Sequence, residues 1–340
     1  MRDLLSFIYQ VIIMPGKRKT RYDWKVYNKQ LVERGKKLAN RIKTINKEVL
    51  EFWKEELMQL NKDKVGSPFE YPNSQIVFLS IIRTAFNINS YRNLEGLGFL
   101  FFNDVPDYTR IYRRIRQLDL DVIRKINREV TKAKTKNRVV EILLDATGVQ
   151  INGKYVWEDK KTRKVRKRDW KKINISVDVE TKQILGIKIL NKNESEGSHK
   201  NALALVDDVF ANIDDTSEID KAYADGGYDS NKNFEMFDDL GVEPIIRIRK
   251  KSREIAKFMN NTDIKAAKRI KFFSKKRNRE ALMQYYWKYF VELFRYGKRS
   301  GIEGIIGSFK RFFRENLFSR KDEMIEREIM TRVLIWNMMV

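Results

Sequence analysis

Two short apolar runs, each cut off by an aspartate, limit what this chain can fold into. Val139, Val140, Ile142, Leu143 and Leu144 lead straight into Asp145, and Ile219 to Ala224 lead into Asp225, Gly226 and Gly227. Brief runs of this kind, closed by turn-forming residues, read as buried strands. A carboxylate at the end of a buried strand is costly unless it faces a cleft and meets a cation. Open α/β sheets also keep their ligand sites at strand ends. Taken singly, each aspartate would serve equally well to open a turn.

The surrounding pattern completes a sheet. Ile173, Ile175, Val177 and Val179 alternate with polar residues, a turn falls at Glu180 to Gln183, and Ile184 to Leu190 return as a partner strand. His199 to Ile213 reads as a helix, Ser230 to Leu240 as another, and Val242 to Ile248 as extended. The order implies an α/β fold with a mixed sheet flanked by helices. Upstream the rhythm is helical. Val26, Leu31, Leu38, Ile42, Ile45, Val49 and Phe52 recur at three- to four-residue steps; Ser74 to Phe86 forms a second stretch, and Pro106 with Asp107 starts a third carrying Arg110, Arg113, Arg114 and Arg116. The expected organisation is a basic tail at 1–20, a helical DNA-binding region at 21–135 and a catalytic domain at 136–340. A basic segment at about 249–285 interrupts the last.

Charge points to the partner. The net charge of +24 divides into +14 for residues 1–140, −2 for 141–250 and +12 for 251–340, while residues 201–240 alone carry −9. Two basic blocks around a nearly neutral middle fit a polyanion, and double-stranded DNA is the partner expected. With no cysteine, the chain has no disulfides, thiolate metal sites or thiol nucleophiles, and the single histidine, His199, excludes a site needing two imidazoles. Residues 4–14 are apolar but lack the layout of a signal peptide, and nothing reaches the roughly 18–20 apolar residues of a membrane span. A cytoplasmic, nucleoid-associated chain is expected.

One more constellation lies near the carboxyl end. Tyr296, Arg299, Glu303 and Lys310 are spaced so that, on a single α-helix, they fall within roughly 60° of one face. A carboxylate, two cations and a phenol on one face suit a phosphate chain lying across a bound metal ion. A salt-bridged surface face would look similar. Gly297, Gly301, Gly304 and Gly307 count against an ordinary exposed helix, because each interior glycine costs about 1 kcal/mol.

On these residues the chain resembles prokaryotic insertion-sequence transposases with a DDE active site and the YREK signature, whose Tyr, Arg, Glu and Lys match Tyr296, Arg299, Glu303 and Lys310. YNKQLVERG at Tyr27–Gly35, YRNLEGLGFLF at Tyr91–Phe101 and VPDYTRIYRR at Val105–Arg114 look like that family's amino-terminal region, and LLDATGV and YADGGYDS like its two aspartate motifs. The resemblance runs from about residue 22 to the carboxyl end. It implies an RNase H-like fold, Asp145, Asp225 and Glu303 as both catalytic and metal-binding, and cleavage and joining at the element's terminal inverted repeats. Two Mg2+ or Mn2+ ions would then serve an in-line phosphoryl transfer. Pairing two element ends implies a homodimer.

Arg299 and Lys310 are expected to hold backbone phosphates, and Tyr296 to contact a phosphate or stack on a base. The basic run Lys161–Lys172, with Arg168 and Trp170, reads as either a groove-entering element or a solvated loop between hairpin strands. No GxxxxGK[ST] loop is present, which agrees with chemistry that needs no ATP. Two rivals stand beside the transposase: a metal-dependent nuclease on the same fold, and an inactive DNA-binding remnant. If phosphate neutralisation by the basic blocks drives binding, affinity for duplex DNA measured by fluorescence anisotropy should fall about 10³–10⁵-fold between 50 and 200 mM salt. Affinity that ignores salt would remove DNA as the partner.

Overall fold

The computed structural model describes residues 32, 33, 40, 55–160, 163–191, 193–249, 274–284 and 287–340. The expected basic tail, most of the first helical stretch and the bulk of the 249–285 segment lie outside them. In chain order the elements are α1 (Asn73–Ala85), α2 (Tyr91–Gly98), α3 (Tyr108–Gln117), α4 (Leu120–Thr135), β1 (Val139–Lys160), β2 (Arg163–Asp178), β3 (Ile184–Leu190), α5 (His199–Asn212), β4 (Glu218–Ala224), α6 (Asn231–Asp239), β5 (Glu243–Ile246), α7 (Lys276–Met283), α8 (Trp287–Leu293), α9 (Gly301–Phe313), β6 (Asn316–Leu317) and α10 (Asp322–Met339). They fall into two compact units, residues 1–126 with 309–340, and residues 127–308. No helix among the described residues is long and apolar enough to cross a membrane.

The second unit holds the sheet, in the order β3-β2-β1-β4-β5. β1, β2 and β3 pair antiparallel, whereas β4 and β5 run parallel to β1. Antiparallel hairpins followed by parallel strands, with helices at the flanks, make this an RNase H-like mixed sheet. β1 lies between two neighbours, and Val140, Ile142, Leu143 and Leu144 are all buried. A strand covered on both faces has little polar surface to show, which is why its sequence is mostly apolar, with Glu141 as the one charged residue before Asp145 and paired with Lys298.

At the edge, β3 is closed off by α5. Gly186 lets the helix in close, since a Cβ there would lie 2.7 Å from the Leu205 carbonyl oxygen. Asp208 then accepts a hydrogen bond from the Ile187 amide at 2.8 Å, and Asn212 donates to the Leu185 carbonyl at 2.8 Å. Two helix side chains thereby satisfy backbone groups that an edge strand leaves open.

The basic run at 161–172 is not the expected loop between hairpin strands. Most of it is strand β2 rather than a loop, with the β1–β2 ladder continuing out to Lys160 opposite Arg163. Pairing of β1 with β4 stops at Leu144, and pairing of β2 with β3 stops at Lys172. Hydrophobic periodicity could not reveal this, because the run is made mostly of cations and offers no apolar alternation to read.

The first unit is helical. α1 is buried over most of its surface, including Gln75, whose amide donates to the Asp104 carbonyl at 2.8 Å. A helix buried all round needs such partners for its polar residues. Asp107 caps α3 as its sequence position suggests, accepting from the Thr109 and Arg110 amides. The α3 arginines are largely engaged within the unit. Arg110 pairs with Glu70 and Asp107, Arg114 stacks over Phe69 at 4.1 Å, and Arg116 meets Glu323 at 2.8 Å. Arg332 is likewise buried against Glu328 at 2.7 Å, and Glu328 also accepts the Phe318 and Ser319 amides.

A buried carboxyl on α7 adds a pH dependence. Burial pushes Glu280 from its ordinary 4.5 up to about 7, Lys276 and Arg279 drawing it down and Glu243 driving it up. The folded chain therefore holds this proton more tightly than the unfolded chain, and stability contributed by protonated Glu280 is lost as pH rises from about 4.5 through 7. Glu280→Gln should flatten that part of the Tm–pH curve and stabilise the protein above pH 7 by about 1–3 kcal/mol. An unchanged slope would rule out Glu280 as its source.

Candidate active site

Strand register brings the two aspartates together. Leu144 of β1 lies opposite Ala224 of β4 in the parallel ladder, so the next residues, Asp145 and Asp225, stand side by side where that pairing ends. Asp145 remains within β1, opposite Ile175 of β2. Asp225 closes β4 and caps the short 3-10 turn Gly226–Tyr228, accepting from the Gly227 amide at 2.7 Å. The turn-opening role and the site role thus coincide in one residue.

The two carboxylates sit in an acidic setting. Burial raises the Asp145 carboxyl above its ordinary pKa, and the negative charges of Asp225 and Glu196 add to this; the Ala146 amide and Arg299 oppose it. The Ala146 amide donates to Asp145 Oδ1 at 2.8 Å. Such a carboxylate is stabilised by any cation that can reach it.

Arg299 is the cation in reach. Its Nη2 lies 3.7 Å from Asp145 Oδ2 and its Nη1 3.5 Å from Glu303 Oε1. Glu303, in the first turn of α9, is mostly exposed and is linked to Asp145 only through this guanidinium. The helix expected over Tyr296–Lys310 is in fact two elements: Tyr296–Ser300 is a 3-10 turn, and the α-helix starts at Gly301. Tyr296 and Arg299 still share a face, because residues three apart eclipse in a 3-10 helix. The Tyr296 hydroxyl donates to the Ala224 carbonyl at 3.4 Å, next to Asp225, and burial raises its pKa. Lys310 belongs to the last turn of α9.

Other expected site residues lie further along the sheet. Trp170 is 39% exposed and its ring lies over Gly148, where a Cβ would come within 3.3 Å of it. Arg168 is opposite Tyr155 in the ladder. His199 opens α5, and its Nδ1 is buried without a hydrogen-bond partner.

Glu196 is at the site although nothing in its sequence neighbourhood marks it. A Cβ on Gly227 would lie 2.7 Å from Asp225 Oδ1 and 3.3 Å from Glu196 Oε1, so the two carboxylates flank one glycine-sized space. Lys172 forms an ion pair with Glu196. The loop is held against the Asp225 turn: Asn174 donates to the Glu196 carbonyl and Asn233 to the Gly197 and Tyr228 carbonyls, each at 2.9 Å. Gly197 touches Gly227 so closely that a Cβ would fall 1.9 Å from the Gly227 carbonyl oxygen. Only the three-dimensional contact of two polar, glycine-containing loops reveals this.

Hard carboxylate oxygens suit magnesium or manganese, and Asp145, Asp225 and Glu303 have that chemistry, with a guanidinium standing between the first and the last as their present cation. Among the described residues, no three carboxylate or imidazole side chains are gathered closely enough to enclose an ion unaided.

Comparison with known proteins adds the family. Residues 136–338 match the family described as "Transposase DDE domain". Among solved structures, the Drosophila P element transposase strand transfer complex is 9% identical, with a TM-score of 0.29 over 86% of this chain and 85% of that one. The Mos1 strand transfer complex is 11% identical, with a TM-score of 0.23 over 70% and 80%. The Mos1 mariner paired end complex with Mn is 10% identical, with a TM-score of 0.22 over 72% and 82%. The family match spans more than half of the sequence and takes in Asp145, Asp225, Arg299 and Glu303: this chain belongs to the transposase DDE domain family.

Proposed function

We propose that this chain is the transposase of a prokaryotic insertion sequence, cleaving DNA at its own terminal inverted repeats and joining the 3' ends to target DNA. The observation that carries this reading is the register that sets Asp145 beside Asp225, with Arg299 linking Asp145 to Glu303. Asp145, Asp225 and Glu303 would hold two Mg2+ or Mn2+ ions, which when bound supply activation of the attacking oxygen and stabilisation of the leaving one. The ions are hard and the donors are all carboxylates, which supports the assignment.

The remaining residues position DNA. Arg299 and Lys310 hold backbone phosphates, where a guanidinium offers two parallel donors and an ammonium a point charge. Tyr296, fixed beside Asp225 by its bond to the Ala224 carbonyl, faces phosphate or an unpaired base. The β1–β2 ribbon adds a second contact surface. Residues 154–168 carry a net charge of +6, a quarter of the chain's total. The register sets Arg168 opposite Tyr155 and Arg166 opposite Trp157, so cationic and aromatic residues occupy facing positions. A two-stranded ribbon is narrow enough for the DNA major groove. The protein acts on double-stranded DNA as a homodimer that pairs two element ends, in a cytoplasmic, nucleoid-associated setting.

Two measurements test this. Asp145→Asn, Asp225→Asn and Glu303→Gln should each slow cleavage of an element-end duplex more than about a hundredfold while leaving DNA affinity nearly unchanged. Wild-type cleavage by any of them would show the triad to be misassigned. Precut ends should be joined covalently to a target plasmid; cutting without joining would favour the nuclease, and DNA binding without either would favour the remnant. Arg168→Gln should lower the salt slope of DNA binding by about 1 if Arg168 meets a phosphate. An unchanged slope would take the ribbon off the DNA.

A further inference from the structure

Arg299 carries more than its proposed phosphate contact requires. Its two terminal nitrogens reach different acids, Nη2 to Asp145 and Nη1 to Glu303, so one guanidinium bridges the strand carboxylate to the helix carboxylate. Both separations, 3.7 and 3.5 Å, exceed the roughly 2.7–2.9 Å of a close charge-assisted hydrogen bond. The bridge is loose. Arg299 Nε is also buried with no hydrogen-bond partner, leaving a donor of the same group unsatisfied.

The neighbouring cations are held differently. Lys172 pairs closely with Glu196, and Lys298 pairs closely with Glu141 while lying 5.9 Å from the Tyr223 ring centre. Arg299 is thus the exchangeable positive charge of the acidic centre. A divalent ion held by both Asp145 and Glu303 would have to take its position, and the two like charges would repel at that distance. A departing guanidinium needs another anion, and a DNA phosphate offers two oxygens matched to its fork.

Resting on the transposase reading above, we infer that Arg299 occupies the metal position of the DNA-free chain and moves to a DNA phosphate when ions enter, coupling metal binding to DNA binding. The coupling is reciprocal: DNA that draws Arg299 away tightens metal binding, and metal that displaces it tightens DNA binding. Arg299 acts here as a positioning residue.

The test uses the full chain and Mn2+ without DNA, with free Mn2+ followed by electron paramagnetic resonance. Arg299→Gln should bind Mn2+ about 5–50-fold more tightly than wild type. Arg299→Lys, which keeps the charge but loses the two-armed reach, should lie between the two and covers the case in which the glutamine variant fails to fold. Arg249→Gln removes a positive charge near Gly227 without removing a bridge, and should change Mn2+ affinity less than about threefold. Unchanged or weaker Mn2+ binding by Arg299→Gln, or by Arg299→Lys where only that variant folds, would overturn the proposal. So would an equal gain in Arg249→Gln, which would reduce the effect to net charge. Asp145→Asn in the Arg299→Gln background tests the underlying site separately: if Mn2+ binding survives it undiminished, the ion lies elsewhere and the carboxylate assignment fails.

Discussion

The parallel pairing of β1 with β4 is the constraint on which the rest depends. It aligns Leu144 with Ala224, and a register shift of one residue would turn one of the following aspartates to the other face of the sheet. Register is strongly specified where strands are buried, and here both are: Val140, Ile142 and Leu144 on one side of the pair and Ala222 and Ala224 on the other contribute to the same apolar core. The packing energy of that core therefore also sets the separation of two charged groups. Carboxylates placed by loops alone would repel one another apart; these are restrained by strands that cannot slip without exposing apolar surface.

Close backbone contact does the equivalent work on the far side of Asp225. Gly197 and Gly227 meet with no room for a side chain, and the Asn174 and Asn233 amides fix the two loops by hydrogen bonds to main-chain carbonyls. Both asparagines are fully buried, and it is their NH2 donors that are satisfied by these carbonyls, so the loops are held by donors with few alternative partners. Glu196 is brought to the centre by this clamp and is partly neutralised by Lys172 on β2. The arrangement also explains why two glycines follow Asp225. Gly227 leaves space for two carboxylates, while a Cβ on Gly226 would lie 3.0 Å from Arg249 Cγ.

Much of the sheet was legible because burial on both faces leaves a plain trace in sequence. The run before Asp225 and the return at Ile184–Leu190 reappear as strands, as do the run before Asp145 and the alternation from Ile173, although β1 continues past Asp145 to Lys160 and β2 starts earlier, at Arg163. The strand character of the 161–172 run was not legible, since a run made mostly of Lys and Arg carries no hydrophobic period to read. The partners of the α3 arginines were not legible either. Sequence shows a row of cations but not that Glu70, Asp107 and Glu323 are folded against them. Spacing treats Tyr296, Arg299, Glu303 and Lys310 as one helix face, whereas Tyr296 and Arg299 belong to a 3-10 turn ahead of the helix that carries Glu303 and Lys310. Glu196 could not be found at all, because its place depends on a contact between glycines far apart in the chain.

The electrostatics of the centre follow from this geometry. Strand register, a loop clamp and a helix start bring Asp145, Asp225, Glu196 and Glu303 into one neighbourhood, where burial and the charges of Asp225 and Glu196 raise the Asp145 carboxyl above its ordinary pKa. Tight pairing of every acid would relieve the repulsion but would leave no acceptor for an incoming cation. The acids are instead paired unequally. Glu196 and Glu141 have close lysine partners, whereas Asp145 and Glu303 share a single arginine at longer range. Neither contact of this arginine is short enough for a close charge-assisted hydrogen bond, so the pairing is open to exchange. The acids with close partners thus hold the neighbourhood together, and the two with a loose partner are left open to an incoming cation.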